Sequence, residues 1–565
     1  MATVIDDLRS PLLRGSVFLG GVIVHVALLR HGEWHVQAPR LVGSVMALSM
    51  AMPCAIIWLA PELLSAPWPV LMATTWLVSA GLAGLYSSAL VYRAALHPLN
   101  RFPGPFAARL SNLYMTTMDA KKSQIYREVR KLHEAYGDIV RVGPSELSIR
   151  DPKAIRLIHA SSSSCVRGIW YDMLHPERSL HALRNKKEHG RRRKAWDRAF
   201  SNQALRDYEP RVVRCTSQLV SLIDEMQGQP VDASRLFTLY SFDVTGEIGF
   251  GKSFNILTDG VLPEAISLAS DLMHRMSVFR RLVWQVRVLN VIPALNRAQH
   301  QLNHWLCGQI AAREQRASDQ PDVFSHILVD HEAKGQATKP TVNLLGDLTL
   351  LVVAGRQDRD SSDTISAALA CLFFELAVHP DARRTLQAEL DRFHETEDAT
   401  DNAALSRLEY LGACIDEALR IYPPALSGLQ MKTSCQGLHL GDVFIPGDTI
   451  VQIPQYALSR DERCFVHADC FIPERWTTKP DLMTDGGSAS FPFSYGPYSC
   501  VGSALAKMEL RYVTAQILGR FDLELAPGFS ASSFEDGLKD HFTMEAPSLN
   551  LVFRSRRPDG LTVDS

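Results

Sequence analysis

Paired cysteines are missing from this chain. Its ten cysteines run from Cys54 to Cys500 without a single C-x-x-C pair. That argues against a disulfide framework and a zinc site, and for a reducing compartment. Charge of one sign is missing too. Lys and Arg number 59 against 61 Asp and Glu, a formal net charge of −2. A general nucleic-acid surface is therefore excluded. No internal repeat stands out, and no glycine-rich flavin or nicotinamide fingerprint is present. The 565 residues suit one large domain with extras, or two domains.

Charge is also missing locally. Leu41 to Pro61 and Leu63 to Tyr92 carry none, and Gly15 to Leu29 is apolar between Arg14 and Arg30. A bilayer crossing takes about 20 apolar residues. Residues 1–92 therefore read as a membrane anchor with two or three transmembrane helices. No small-residue cleavage site follows the first stretch, so a cleaved signal peptide fits poorly. Arg30 and Arg40 lie between the first two stretches, and Arg93, Arg101 and Arg109 follow the third. By the positive-inside bias, the 30–40 loop and everything after Arg93 face the cytosol. Three spans put the N-terminus in the lumen and two leave it in the cytosol; the sequence leaves both open. HPLNRFPGPF (97–106) holds three prolines and a glycine and cannot continue a helix. Residues 93–106 read as a stiff hinge to a domain over 107–565. There, amphipathic runs such as SQIYREVRKLHEAYG alternate with short β runs such as DIVRVGPSELSIR, mainly helix with minor strand.

Four patterns in this domain stand out. EHGRRRKAWDRAFS (188–201) sets His189 and Arg193 at i, i+4 on a helical stretch. ACIDEALRIYPP (413–424) sets Glu417 and Arg420 at i, i+3, on one helix face. FIPERW (471–476) supplies Arg475 after a proline turn. FPFSYGPYSCVG (491–502) sets Cys500 among Phe493, Gly496 and Gly502, just ahead of the helix-forming run SALAKMELRYVTAQILGRF. A helix N-terminus there stabilises a thiolate. Singly, each pattern is most simply a solvated face, a surface ion pair, a surface loop or a buried cysteine.

Together and in this order they resemble the cytochrome P-450 superfamily, the haem-thiolate monooxygenases, in its fungal microsomal form of the secondary-metabolite branch. The likeness runs from His97 to about residue 555. It implies the fold of that family: mainly α with small β-sheets, haem lying between the long central helix and the cysteine-loop helix, all behind N-terminal transmembrane helices. It implies Cys500 as the axial thiolate of haem b, shielded by Phe493, with Gly496 and Gly502 letting backbone approach the porphyrin. His189 and Arg193 are implied to bind haem propionates. Glu417, Arg420 and Arg475 are implied to form a buried network that serves folding rather than reaction. The implied substrate pocket comprises Ala425, Leu426, Leu429, Phe542 and Thr543, with Ser427 adding one hydroxyl.

Two departures from the family pattern matter. Many members carry arginine two residues before the cysteine, and here Tyr498 stands there. Propionate binding then leans on His189 and Arg193, or another cation substitutes. The central helix usually reads close to A-G-x-[DE]-T. VVAGRQDRDSSDTISAALACLFFEL (352–376) fits at Ala354–Gly355 and Asp363–Thr364, with RQDRDS (356–361) between. Gly355 and Thr364 are thereby nine apart, about half a turn out of phase on one helix. The insert either loops out and restores register or reflects an error in translating the gene. Asp363 and Thr364 are the better catalytic pair in both cases.

The resemblance implies a monooxygenase that inserts one oxygen atom of O2 into an apolar small molecule, by hydroxylation or epoxidation. Thr364 and Asp363 serve oxygen binding and proton delivery. NADPH supplies electrons through a partner reductase, with cytochrome b5 as a further electron donor, and membrane lipid and a hydrophobic substrate complete the partners. The place is the endoplasmic reticulum membrane, with the catalytic domain in the cytosol. The alternatives are a non-oxygenating isomerase or dehydratase of the same fold, or a membrane haem-binding protein impaired by the insert.

Overall fold

Three N-terminal helices are long and apolar enough to cross a membrane: Pro11–Leu29, Ala38–Leu59 and Pro67–Arg101. The first and third pack closely. A Cβ on Gly21 or Gly84 would collide with backbone of the opposite helix, at Gly81 and Phe18 respectively. Small residues at such a seam let two spanning helices approach without relying on hydrophobic exclusion of water. The chain is a computed structural model, and it describes residues 2–65, 67–226, 228–260, 276–314, 322–332, 341–354, 364–397, 400–484 and 487–556. The third span leaves α-helical geometry through a π-turn at Tyr92–Leu96. His97 is extended, and a short 3-10 turn, Pro98–Arg101, follows it.

Beyond the prolines the architecture is helical with small sheets, as the composition of that region predicts. A five-stranded sheet carries Ile139–Gly143, Glu146–Ile149, Ile450–Gln452, Met431–Lys432 and Val166–Arg167 in that order. Only the pair Glu146–Ile149 with Ile450–Gln452 is parallel. The main core packs the helices Asn202–Glu225, Ala233–Gly249, Thr364–Val378, Glu409–Ile421 and Ser503–Arg520 against one another. Thr364–Val378 is buried from Ser366 to Leu376 without a break, because it is apolar all round rather than along one stripe.

A buried polar network ties this core to the segment that leads into the cysteine loop. Glu417 and Arg420 share a face of helix Glu409–Ile421, and Arg475 comes from the 3-10 turn Pro473–Trp476. All three are sealed from solvent. Arg420 grips Glu417 with two N–H donors, both at 2.8 Å, and Arg475 Nε adds a third at 2.9 Å. The Trp476 indole and the Ile472 N–H donate to the same carboxylate at 2.9 Å. The remaining guanidinium donors reach the carbonyls of Ser459, Ala468, Val466, Leu482 and His467. Burial acts to raise the Glu417 carboxyl, but Arg420, Arg475 and the Ile472 N–H hold it below its ordinary value. The segment 459–482, which leads into the cysteine loop, thus hangs on one carboxylate. Glu417→Ala leaves two buried guanidiniums uncompensated and is expected to cost about 3–5 kcal/mol, read as a shifted denaturation midpoint in detergent-solubilised protein.

Candidate functional site

A cavity of about 350 Å³ lies between the helices Ala233–Gly249, Thr364–Val378 and Ser503–Arg520. Its floor is the cysteine loop. The Cys500 side chain opens to the cavity, whereas Cys371 and Cys414 are sealed in the core. All ten cysteines are free. The Cys500 N–H donates to the Phe493 carbonyl at 2.8 Å, which closes the loop and sets Phe493 on the same wall. Burial pushes the Cys500 thiol up, while the Gly502 N–H and Arg193 pull it down. Gly502 stands at the helix start, on the cavity wall.

Gly496 has a different reason from the expected one. It does not face the cavity; its φ is +72°, and a Cβ there would strike the carbonyl of His159. Glycine at this position seats the loop against residues 159–160 rather than admitting a ligand.

One end of the cavity is cationic. His189 and Arg193 stand on helix Lys186–Ala199, and both line it. Arg193 donates to the Ser499 carbonyl at 2.7 Å and to Asp197 at 2.6 Å. Burial and the neighbouring Arg167, Arg193 and Arg192 push His189 down to about 3. It is therefore a neutral hydrogen-bond donor near pH 7, not a charge. Tyr498 is buried between Arg167, 4.4 Å from its ring centre, and His189, at 4.7 Å between rings. The Tyr498 hydroxyl has no hydrogen-bond partner among the described residues.

Arg167 is the residue that sequence reading missed. It ends the strand Val166–Arg167, is 4% exposed and lines the cavity. Its guanidinium donates to the carbonyls of Leu180 and His181, and no acidic side chain pairs with it among the described residues. The signal was present: a lone arginine between the apolar Val166 and the aromatic run Trp170–Tyr171 is costly to bury without a purpose. The helix Ala233–Gly249 was missed as well, and it supplies Ser241, Val244, Thr245 and Ile248 to the wall.

Ala425, Leu429, Phe542 and Thr543 line the cavity as expected of a pocket, but Leu426 does not. It is sealed in the main core, on the other side of the turn that the Gly428 N–H closes onto the Ala425 carbonyl at 2.8 Å. The Ser427 hydroxyl is spent on Asp540. Phe542 stacks on Trp170 at 4.0 Å, with planes 5° apart. Thr364 opens helix Thr364–Val378 and reaches the cavity. Asp363, Gly355 and the insert 356–361 lie outside the described residues; the preceding helix is Val342–Ala354.

An open cysteine on the floor, two arginines and an unsatisfied phenol at one edge, and an apolar remainder fit a flat apolar cofactor with a metal at its centre and carboxylates at its rim. The comparisons agree. The family model for cytochrome P-450 matches residues 103–553. The chain is 46% identical over 544 residues to cytochrome P-450 monooxygenase FCK2 of Fusarium pseudograminearum, covering 95% of this chain and 97% of that one. It is 40% identical over 475 residues to cytochrome P-450 monooxygenase orf5 of Eupenicillium brefeldianum, covering 84% and 95%. It is also 32% identical over 543 residues to tryprostatin B 6-hydroxylase of Aspergillus fumigatus, covering 95% of each. The chain belongs to the cytochrome P-450 family. It is a monooxygenase of that type, using haem and O2, with a redox partner and a small-molecule substrate.

The two pocket positions should separate on substitution. Leu426→Ala is expected to cost about 2–5 kcal/mol of stability. Leu429→Trp should leave the denaturation midpoint near wild type while weakening the binding of an apolar fluorescent dye to the cavity.

Proposed function

We propose that this chain inserts one oxygen atom from O2 into an apolar small molecule of fungal secondary metabolism, by hydroxylation or epoxidation. One observation carries the reading: Cys500 opens into the same cavity whose edge holds Arg167, a buried guanidinium with no acidic partner among the described residues. When bound, haem b supplies the oxygen-activating chemistry. Cys500 Sγ would hold its iron as a thiolate, an electron-rich ligand suited to oxygen activation. Arg167 and Arg193, with the Tyr498 hydroxyl and His189, would hold the two carboxylates. Arg167 thus stands in for the arginine that many family members carry where this chain has Tyr498.

The apolar wall of Val244, Ile248, Ala425, Leu429 and Phe542 would bind substrate and exclude water. Thr364 at the cavity would orient a proton donor, with Asp363 next to it in sequence supplying the proton. Electrons would come from NADPH through a separate reductase, with cytochrome b5 as a second donor. Membrane lipid would surround the three spans, in the endoplasmic reticulum with the catalytic domain in the cytosol.

Cys500→Ser is expected to abolish the thiolate-type reduced-CO spectrum, and retention of that spectrum would sink the ligand assignment. Labelled O2 should deliver one labelled atom to product; product formed without label would favour an isomerase or dehydratase. Arg167→Gln should speed haem transfer to apomyoglobin about tenfold. Tyr498→Arg in that background should restore slow transfer, because it returns a guanidinium to the same edge. Equal transfer rates in wild type and Arg167→Gln would remove Arg167 from the site.

A further inference from the structure

The loop between the first two spanning helices is gripped by the catalytic domain. Arg184 donates to Glu33 through two nitrogens, at 2.6 and 2.7 Å. Lys432 donates to the same carboxylate at 2.8 Å. His35, 8% exposed, meets Asp172 at 3.0 Å, and Arg184 also pairs with Asp172. Burial works to raise the Glu33 carboxyl, yet Arg184 and Lys432 hold it at about 2. Glu33, His35 and Asp172 lie close enough to share a cation. Arg184 and Lys432 already supply positive charge there, so the cluster is an ion-pair latch.

What the latch holds is the edge of the cavity. Lys432 sits on the strand paired with Val166–Arg167. Arg184 Nε donates to the Arg167 carbonyl at 2.9 Å. Asp172 ends the 3-10 turn Ile169–Asp172, whose Trp170 stacks on the cavity residue Phe542. The topology permits the grip. Helix Ala38–Leu59 runs away from the loop and Pro67–Val91 returns, so the loop and the catalytic domain emerge on one side.

We infer that residues 33–35 brace the 166–185 wall of the cavity, so that the membrane anchor shapes the active site as well as tethering it. Two long side chains on a surface gain little from pairing alone. Here one carboxylate serves two cations in a half-buried place, and its partners are fixed to a sheet and a turn. Removing the anchor to solubilise the enzyme would remove this brace too.

The experiment uses the full-length protein in phosphatidylcholine vesicles and reads hydrogen–deuterium exchange in peptides covering 166–185. Glu33→Gln combined with His35→Gln should raise exchange there about tenfold, with the helix Glu409–Ile421 unchanged. Arg184→Gln should raise it at least as much, since it also releases Asp172 and the Arg167 carbonyl, and in that background the two loop changes should add less than they do alone. Wild type moved from low salt to about 1 M salt should show a smaller local rise, since charges then act over only about 3 Å but half-buried pairs are screened in part. That arm needs no variant and stands if a variant fails to fold. Exchange in 166–185 that stays at the wild-type level in the loop variant or at high salt overturns the inference. So do strictly additive effects of the two sides.

Discussion

Glu417 carries its charge where no water reaches it, and much of the catalytic domain is arranged around that fact. A lone buried carboxylate would be prohibitively costly. Two guanidiniums, an indole and a backbone N–H make it tolerable, and each guanidinium then needs further acceptors. Those acceptors are carbonyls scattered over residues 459–482, a stretch with little regular structure of its own. One charge thereby fixes a loop that a hydrophobic core could not fix, because carbonyls must be paired and apolar contacts carry no direction. The cysteine loop begins nine residues after Leu482, at Phe491, and inherits that order.

The cavity inverts the same economy. Around Glu417 each cation meets an acid, whereas at the cavity edge Arg167 has no acid among the described residues and the Tyr498 hydroxyl no partner. His189 responds by staying neutral, which lowers the repulsion among the neighbouring guanidiniums. A site with unspent positive charge at one edge, a thiol on the floor and aliphatic walls orders what enters it. Its charged rim must go to the edge and its apolar face to the walls. Orientation of this kind follows from electrostatics and shape together.

Much of this was legible in the sequence. The uncharged runs pointed to two or three spans, and three helices there are long and apolar enough to cross a bilayer. The patterns at His189, Glu417, Arg475 and Cys500 are local and lie on the elements their spacing implies. What escaped is set by long-range pairing. Arg167 reaches the site only because its two-residue strand pairs with Met431–Lys432, more than 260 positions away, and no periodicity announces so short a strand. Leu426 and Leu429 read alike as apolar neighbours, but the turn between them sends one to the core and the other to the cavity. Gly496 reads as room for a ligand, although its neighbour is the backbone of residues 159–160.

The strand Val166–Arg167 joins the two halves of the chain. The side chain of Arg167 faces the cavity, and its carbonyl takes a hydrogen bond from Arg184. The fork of Arg184 in turn closes on Glu33, in the loop between the first two long apolar helices. A guanidinium held in a low-dielectric wall is sensitive to small shifts, because Coulomb energies there change steeply with distance. The loop after the first span is therefore mechanically continuous with the cationic edge of the site. Tyr498 makes that continuity matter more in this chain. With no arginine on the cysteine loop itself, the charge at that edge rests on Arg193 and on a strand whose position the anchor helps to hold.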